Sequence, residues 1–176
     1  MAQTGSKAIA RRKGWLMQQL RSIKLAAFDV DGVLTDGRIH YLSDGTEMLS
    51  FHVHDGAAIK RLLQRGIQVA LITGRASPMV GKRALELGIP HVFQNVGDKL
   101  DVLRGLATRL GLDAGACAYV GDDWPDLDVL GWVGLPIAPA NAQPEVRAAA
   151  ALVTAAAGGC GVAAEVSRLL LESRQP

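Results

Sequence analysis

Two aspartates one residue apart, Asp29 and Asp31, open the run Asp-Val-Asp-Gly-Val-Leu-Thr-Asp, which directly follows the apolar stretch Leu25-Ala26-Ala27-Phe28. Carboxylates at the end of a buried strand are costly to desolvate unless a cation compensates them, and a divalent metal is the economical explanation. Three more signals follow in order: Thr73-Gly74-Arg75, Lys99, and Gly121-Asp122-Asp123, each at or just past an expected strand end or helix start. Each fragment alone also has an ordinary structural meaning. Paired aspartates and Thr-Gly occur in turns, Lys99 opens a helix as a surface lysine would, and Asp122 or Asp123 could cap the helix that Pro125 helps to start. Their combination points to chemistry, because parallel strands bring all their carboxyl ends to one edge.

The elements that would position these residues follow from hydrophobic periodicity. From residue 24 onward, apolar runs of strand length alternate with stretches of helical period, the pattern of a parallel sheet with crossover helices. Strands are predicted over 24–29, 67–72, 91–93, 117–120, 133–137 and 151–153, and helices over 57–65, 78–87, 99–110, 126–130 and 162–172. Gly66, Gly88 and Gly111 each follow a helical stretch, where a residue free to adopt positive φ closes the last turn. Residues 38–53 break the rhythm: Ile39 and Tyr41, then Leu49, Phe51 and Val53, alternate with polar positions around Ser43-Asp44-Gly45, as in a β-hairpin. A two-stranded hairpin is marginal by itself, so its apolar face needs the core, a substrate or another subunit against it; another subunit is the favoured reading. Residues 8–22 can form a short amphipathic helix with Ile9, Leu16 and Leu20 on one side.

Composition narrows the classes further. The 176 residues suit one domain with a full core, and 49% apolar with 20% charged residues argues against disorder. A net charge of +2, with basic residues scattered among acids beyond the first two dozen positions, speaks against nucleic-acid binding. Cys117 and Cys160 have neither a disulfide framework nor metal-ligand spacing, and a cytoplasmic setting fits them. The apolar run after Lys13 is cut by Gln18, Gln19 and Arg21, so neither an export signal nor a membrane span is expected.

In combination, Asp29-Val30-Asp31-Gly32-Val33, Thr73, Lys99 and Gly121-Asp122-Asp123 resemble the four motifs of the haloacid dehalogenase superfamily of phosphohydrolases. The run 29–37, the hairpin, His54-Asp55-Gly56, Ile72-Thr73-Gly74-Arg75 and a Gly-Gly-X-Gly tail resemble, within it, the small tetrameric 3-deoxy-D-manno-octulosonate (KDO) 8-phosphate phosphatases. The resemblance implies an α/β Rossmann-like parallel sheet sandwiched by helices over residues 24–176, after an N-terminal extension over 1–23, with the hairpin as the only insertion and no large cap domain. It implies a cytoplasmic Mg²⁺-dependent phosphomonoesterase acting on a phosphorylated ulosonic acid, as a homotetramer whose subunits complete one another's sites. It also implies roles: Asp29 as nucleophile, Asp31 as acid and then base, and Thr73 and Lys99 as stabilisers of the transferring phosphoryl group. The Asp29 carboxylate, the Asp31 carbonyl and the Asp122 carboxylate are the implied metal ligands, with Asp123 in support.

Substrate contacts are expected from Thr73, Gly74, Arg75, Arg83 and Lys99. Arg83 reads either as an exposed helix charge or as an arginine presented to a neighbouring subunit's site. Asp36 and Asp55 read as turn formers or as residues near the pocket, and Asp126 either as an aid to the metal site or, the favoured reading, as a first-turn helix acid interacting with the dipole. The four histidines are read as hairpin or core residues. One departure stands out, since the family tail reads Gly-Gly-Arg-Gly where this chain has Gly158-Gly159-Cys160-Gly161, and an arginine is also missing at Ala164. A thiol does not replace a guanidinium fork. The departure opens the choice of sugar acid, and a nine-carbon, sialic-acid-like 9-phosphate is the alternative substrate. A separate alternative is a non-catalytic oligomerising relative of sugar-nucleotide enzymes, against which stands the presence of Asp29, Asp31, Thr73, Lys99 and Asp122.

Overall fold

The computed structural model describes residues 14–175. Residues 14–22 are helical (α1), so part of the helix expected over 8–22 is present, while 8–13 lie outside the described residues. Leu20 is buried and Leu16 packs against the core, which seats α1 on the body.

Six strands form one parallel sheet: β1 (Leu25–Phe28), β4 (Gln68–Ile72), β5 (His91–Phe93), β6 (Cys117–Val120), β7 (Leu135–Ala138) and β8 (Leu152–Val153). Their spatial order is β5-β4-β1-β6-β7-β8. All four residues of β1 and of β6 are buried, as expected for strands covered on both faces. The period of two sorts them. Ala26, Phe28, Val69, Leu71, Ala118 and Val120 face one core, while Leu25, Ala27, Ala70, Ile72, Cys117 and Tyr119 face the other. The first core is closed by α1, α2 (Val53–Gln64), α3 (Pro78–Leu87) and α7 (Val162–Glu172). The second is closed by α4 (Lys99–Arg109), α5 (Leu127–Trp132) and α6 (Pro144–Ala149). Burying a side chain such as Phe28 or Ile72 contributes about 1.5–3 kcal/mol, so the sheet is held mainly by aliphatic packing on both sides.

β1 and β6 are neighbours, yet the chain leaves β1 towards β4 and leaves β6 towards β7, on opposite sides. That reversal is the topological switch point of the sheet. Ligands of open α/β sheets bind outside the carboxyl ends of the strands that flank it. Here those ends are Asp29 and Gly121-Asp122.

The hairpin is present but shorter than its alternation implies, with β2 (His40–Tyr41) paired to β3 (Glu47–Met48) and Gly45 at φ +84° in the turn. Leu49 and Phe51 fold back onto the chain's own core, whereas Ile39, Tyr41, Leu42 and Met48 remain exposed. Its apolar residues are thus covered in part from within. α2 starts a turn earlier than expected because the His52 ring nitrogen Nδ1 accepts a hydrogen bond from the His54 N–H at 3.2 Å, a cap that histidine seldom supplies. α6, which was not anticipated, starts at Pro144, with the ring at a position where no N–H is needed.

Asp55 lies in α2 but serves α7. Its Oδ1 accepts from the Ala164 N–H at 2.8 Å, in the first turn of a helix whose own N-cap, Gly161, offers no side chain. It caps a neighbouring helix and lies outside the acidic cleft. Asp36 is a turn former, accepting from the Arg38 N–H at 3.0 Å.

Candidate active site

Asp29 follows the last residue of β1 and is only 6% exposed. Its Oδ1 accepts from the Val30 N–H at 2.7 Å and its Oδ2 accepts from Lys99 Nζ at 2.7 Å. Lys99, 70 residues on and opening α4, is also buried, and its ammonium donates to Asp126 Oδ1 at 2.7 Å. One lysine thus bridges the end of β1 and the turn that follows β6. Thr73 sits at the end of β4, buried, with its Oγ1 accepting from the Arg75 N–H at 3.2 Å. Asp29, Asp31, Thr73, Arg75, Lys99 and Asp122 line a single cleft of about 240 Å³. Gly74 stands between two of these lining residues.

Gly32 explains how closely the loops meet. It holds φ +82°, and a β-carbon there would collide with the Asp122 carboxylate. Asp122 itself keeps one buried oxygen, Oδ1, with no hydrogen-bond partner, and Asp123 does the same. Burial, reinforced by the nearby Asp126 and opposed by Lys99, raises the Asp29 carboxyl to about 7. Burial followed by the charge of Asp29 raises Asp122 to about 7 as well.

This donor set fits a hard divalent cation. It is all oxygen, it is partly desolvated, it has an unpartnered carboxylate oxygen, and its negative charge exceeds what Lys99 offsets. Asp29, Asp122 and Asp126 each place one oxygen within 4.8 Å of the others. Hydrogen bonding separates their roles. Asp126 Oδ1 accepts from Lys99 Nζ and from the Tyr119 hydroxyl at 2.7 Å each, and its Oδ2 accepts from the N–H groups of Asp122 and Asp123 at 3.0 and 3.2 Å. With both oxygens doubly engaged, Asp126 orients Lys99 and the Asp122-Asp123 loop. That goes beyond the favoured reading of a dipole-facing helix acid and is nearer to the alternative, an aid to the metal site.

The raised carboxyls carry a prediction. A carboxyl titrating near 7 in the fold and at its ordinary value of 3.8 when unfolded adds stability below 3.8, and that contribution is lost as pH rises through 7. Chelator-treated protein should therefore lose melting temperature between pH 5.5 and 8, and added Mg²⁺ should remove most of that slope. A calorimetric or fluorescence melt series checks this, and an unchanged slope with Mg²⁺ would contradict it.

Arg75 is the rim cation, with Nη1 on Asp31 Oδ1 at 3.3 Å and Nη2 on Glu47 Oε1 at 2.7 Å. Arg83 is not brought to this cleft. It lies on α3 beside a separate groove shared with Phe51, Val53 and Met79, bonded to Glu86 and to the His52 carbonyl at 3.4 Å each. Two contributors were missed in the sequence reading, Glu47 and Asn141. Asn141 Nδ2 donates to the Gly32 carbonyl at 3.1 Å and its Oδ1 accepts from the Gly158 N–H at 2.6 Å, tying the Asp29–Asp36 loop to the glycine-rich tail. Nothing in the sequence marks an asparagine between β7 and α6 for that task. Cys160 is exposed and Cys117 is buried, both as free thiols, and burial pushes the Cys117 thiol up to about 11.

A family model for haloacid dehalogenase-like hydrolases matches residues 50–134. The 3-deoxy-D-manno-octulosonate 8-phosphate phosphatase KdsC of Escherichia coli (strain B / BL21-DE3) is 42% identical over 156 residues, covering 89% of this chain and 83% of the relative. The chain belongs to the KdsC family of haloacid dehalogenase-like hydrolases. Solved structures agree with KdsC membership. The KDO 8-phosphate phosphatase of Moraxella catarrhalis, crystallised with a magnesium ion, a phosphate ion and a KDO molecule, is 46% identical with a TM-score of 0.88, covering 90% of this chain and 91% of that one. The cobalt-bound enzyme of Haemophilus influenzae is 39% identical with a TM-score of 0.85, covering 89% and 91%. The KdsC fold accounts for the parallel sheet, and its metal-holding structures accord with the oxygen donor set between β1 and β6.

Proposed function

We propose that this KdsC family member hydrolyses KDO 8-phosphate to KDO and phosphate through an aspartyl-phosphate on Asp29. The observation that carries the reading is the meeting of Asp29, Asp31, Thr73, Lys99 and Asp122 in one cleft at the switch point, in a fold shared with an enzyme that holds magnesium, phosphate and KDO.

Asp29 presents a carboxylate oxygen to phosphorus, a P–O bond to Asp29 forms, and the bond from phosphorus to the sugar oxygen breaks. Asp31, two residues on and at the cleft wall, gives its proton to the departing oxygen. As a carboxylate it then takes a proton from the water that attacks phosphorus, which releases phosphate and restores Asp29. Lys99 and Thr73 donate to the transferring oxygens, and Arg75 faces the sugar acid. Asp29, Asp31 and Asp122 would hold Mg²⁺, which would supply Lewis-acid stabilisation and offset the repulsion between nucleophile and phosphate.

The assembly we propose is a homotetramer in which Arg83 and the hairpin reach a neighbouring subunit's cleft. The exposed Tyr41 and Met48 and the placement of Arg83 away from its own cleft support it. Among the described residues no helix is long and apolar enough to cross a membrane. We place the enzyme in the cytoplasm, in the supply of KDO for lipopolysaccharide of a Gram-negative cell.

The test is phosphate release, with and without Mg²⁺, from eight-carbon and nine-carbon ulosonate phosphates and from simple hexose phosphates. The eight-carbon substrate should give the highest kcat/KM and chelation should abolish turnover. Preference for the nine-carbon acid, or equal use of hexose phosphates, would overturn the substrate assignment.

A further inference from the structure

We infer that Glu47, on the hairpin, is a positioning residue for recognition of the sugar acid, acting by holding the Arg75 guanidinium at the rim of the cleft. This rests on the function proposed above.

A guanidinium carries five N–H groups in one plane. In Arg75, Nη1 meets Asp31 at 3.3 Å and Nη2 meets Glu47 at 2.7 Å. The shorter contact comes from the hairpin, so Glu47 is the stronger of the two anchors. The remaining N–H groups are left for a planar acceptor such as a carboxylate, which arginine binds through paired hydrogen bonds. The Arg75 and Glu47 side chains are 34% and 22% exposed. An ion pair so placed contributes little to stability, and its effect is one of orientation. Without Glu47, only the longer Asp31 contact would hold the guanidinium, which would then turn towards the acid or out to solvent. The register is what makes this possible. Glu47 pairs with Tyr41 across the hairpin, and the neighbouring Leu49 and Phe51 seat the strand end on the core.

The test compares Glu47→Ala and Glu47→Gln in the full chain with Mg²⁺, on KDO 8-phosphate and on p-nitrophenyl phosphate, which carries the phosphoester without the sugar acid. Glu47→Ala should raise KM for KDO 8-phosphate about tenfold, as expected for one weakened charge-assisted contact, with kcat within about twofold of wild type. Glu47→Gln keeps an oxygen acceptor and should recover part of that KM. Neither variant should change kcat/KM on p-nitrophenyl phosphate. Parallel losses on both substrates, or no change on either, would overturn the role. Melting curves accompany both variants, and if Glu47→Ala does not fold then Glu47→Gln decides, with a KM between wild type and tenfold higher expected. If wild-type protein leaves KDO 8-phosphate untouched but cleaves p-nitrophenyl phosphate, the proposed function falls and this role falls with it.

Discussion

Asp29→Asn should abolish turnover, lowering kcat by about 10⁴-fold or more, the scale on which loss of a nucleophile is felt. The substitution keeps the shape of the side chain, and its carbonyl oxygen can still accept from the Val30 N–H that now reaches Oδ1 at 2.7 Å. What it removes is the negative charge that, in the proposed mechanism, attacks phosphorus and helps hold the cation. One amide oxygen cannot serve both the Val30 N–H and the Lys99 ammonium, so the metal-free variant should melt somewhat below wild type, while Lys99 keeps Asp126 as its counter-charge and the fold is retained. Complete inactivity beside a cooperative melt that is only modestly lowered separates chemistry from folding. Phosphate release on KDO 8-phosphate and a melt of chelator-treated protein read the two quantities, and residual activity of more than a few per cent would remove Asp29 from the nucleophile's role.

Lys99→Ala should damage both properties. Its ammonium bridges Asp29 and Asp126 at 2.7 Å each and is 6% exposed. Loss of the donor proposed for the transferring oxygens should lower kcat by about 10²–10³-fold. Removing one partner of a buried ion pair costs about 3–5 kcal/mol, because the carboxylates left behind have no counter-charge. Urea unfolding near pH 8 should show that destabilisation, and it should shrink near pH 5, where the orphaned carboxyls take up protons. The pH trend identifies the cause. A loss that stays the same at both values would point to packing alone.

Much of this architecture was legible because parallel strands announce themselves. The strands read over 91–93 and 117–120 and the helices over 78–87 and 162–172 agree with β5, β6, α3 and α7, where short apolar runs or helical periods are bounded by Gly, Pro or Asp. The edge and the hairpin were harder. β2 and β3 span two residues each, although alternation continues to Val53, since periodicity does not reveal that Phe51 turns into the core or that His52 starts a helix. Between β6 and α5 the chain makes a 3₁₀ turn over Trp124–Asp126, which a helical reading from 126 passes over.

The site divides in a similar way. Residues at strand ends and at a helix start could be found, because topology dictates where they go: Asp29, Thr73, Lys99 and Asp122 do meet in one cleft. Residues that act through another side chain could not. Asp126 looks like any acid at a helix start until Tyr119, Lys99 and two backbone N–H groups are seen to converge on it. Asn141 and Glu47 act across 109 and 28 residues of sequence, distances over which spacing carries no signal. Arg83 shows the reverse limit, since one chain cannot complete the contact that its resemblance implies.

The covalent step is the centre of the account, and one experiment reaches it directly. The enzyme is mixed with Mg²⁺ and KDO 8-phosphate labelled at phosphorus, quenched in acid within milliseconds, and digested. Label on the peptide that carries Asp29, rising before free phosphate and then decaying, is the predicted result. Phosphate released while the protein stays unlabelled at every quench time, or label on a peptide without Asp29, would contradict it.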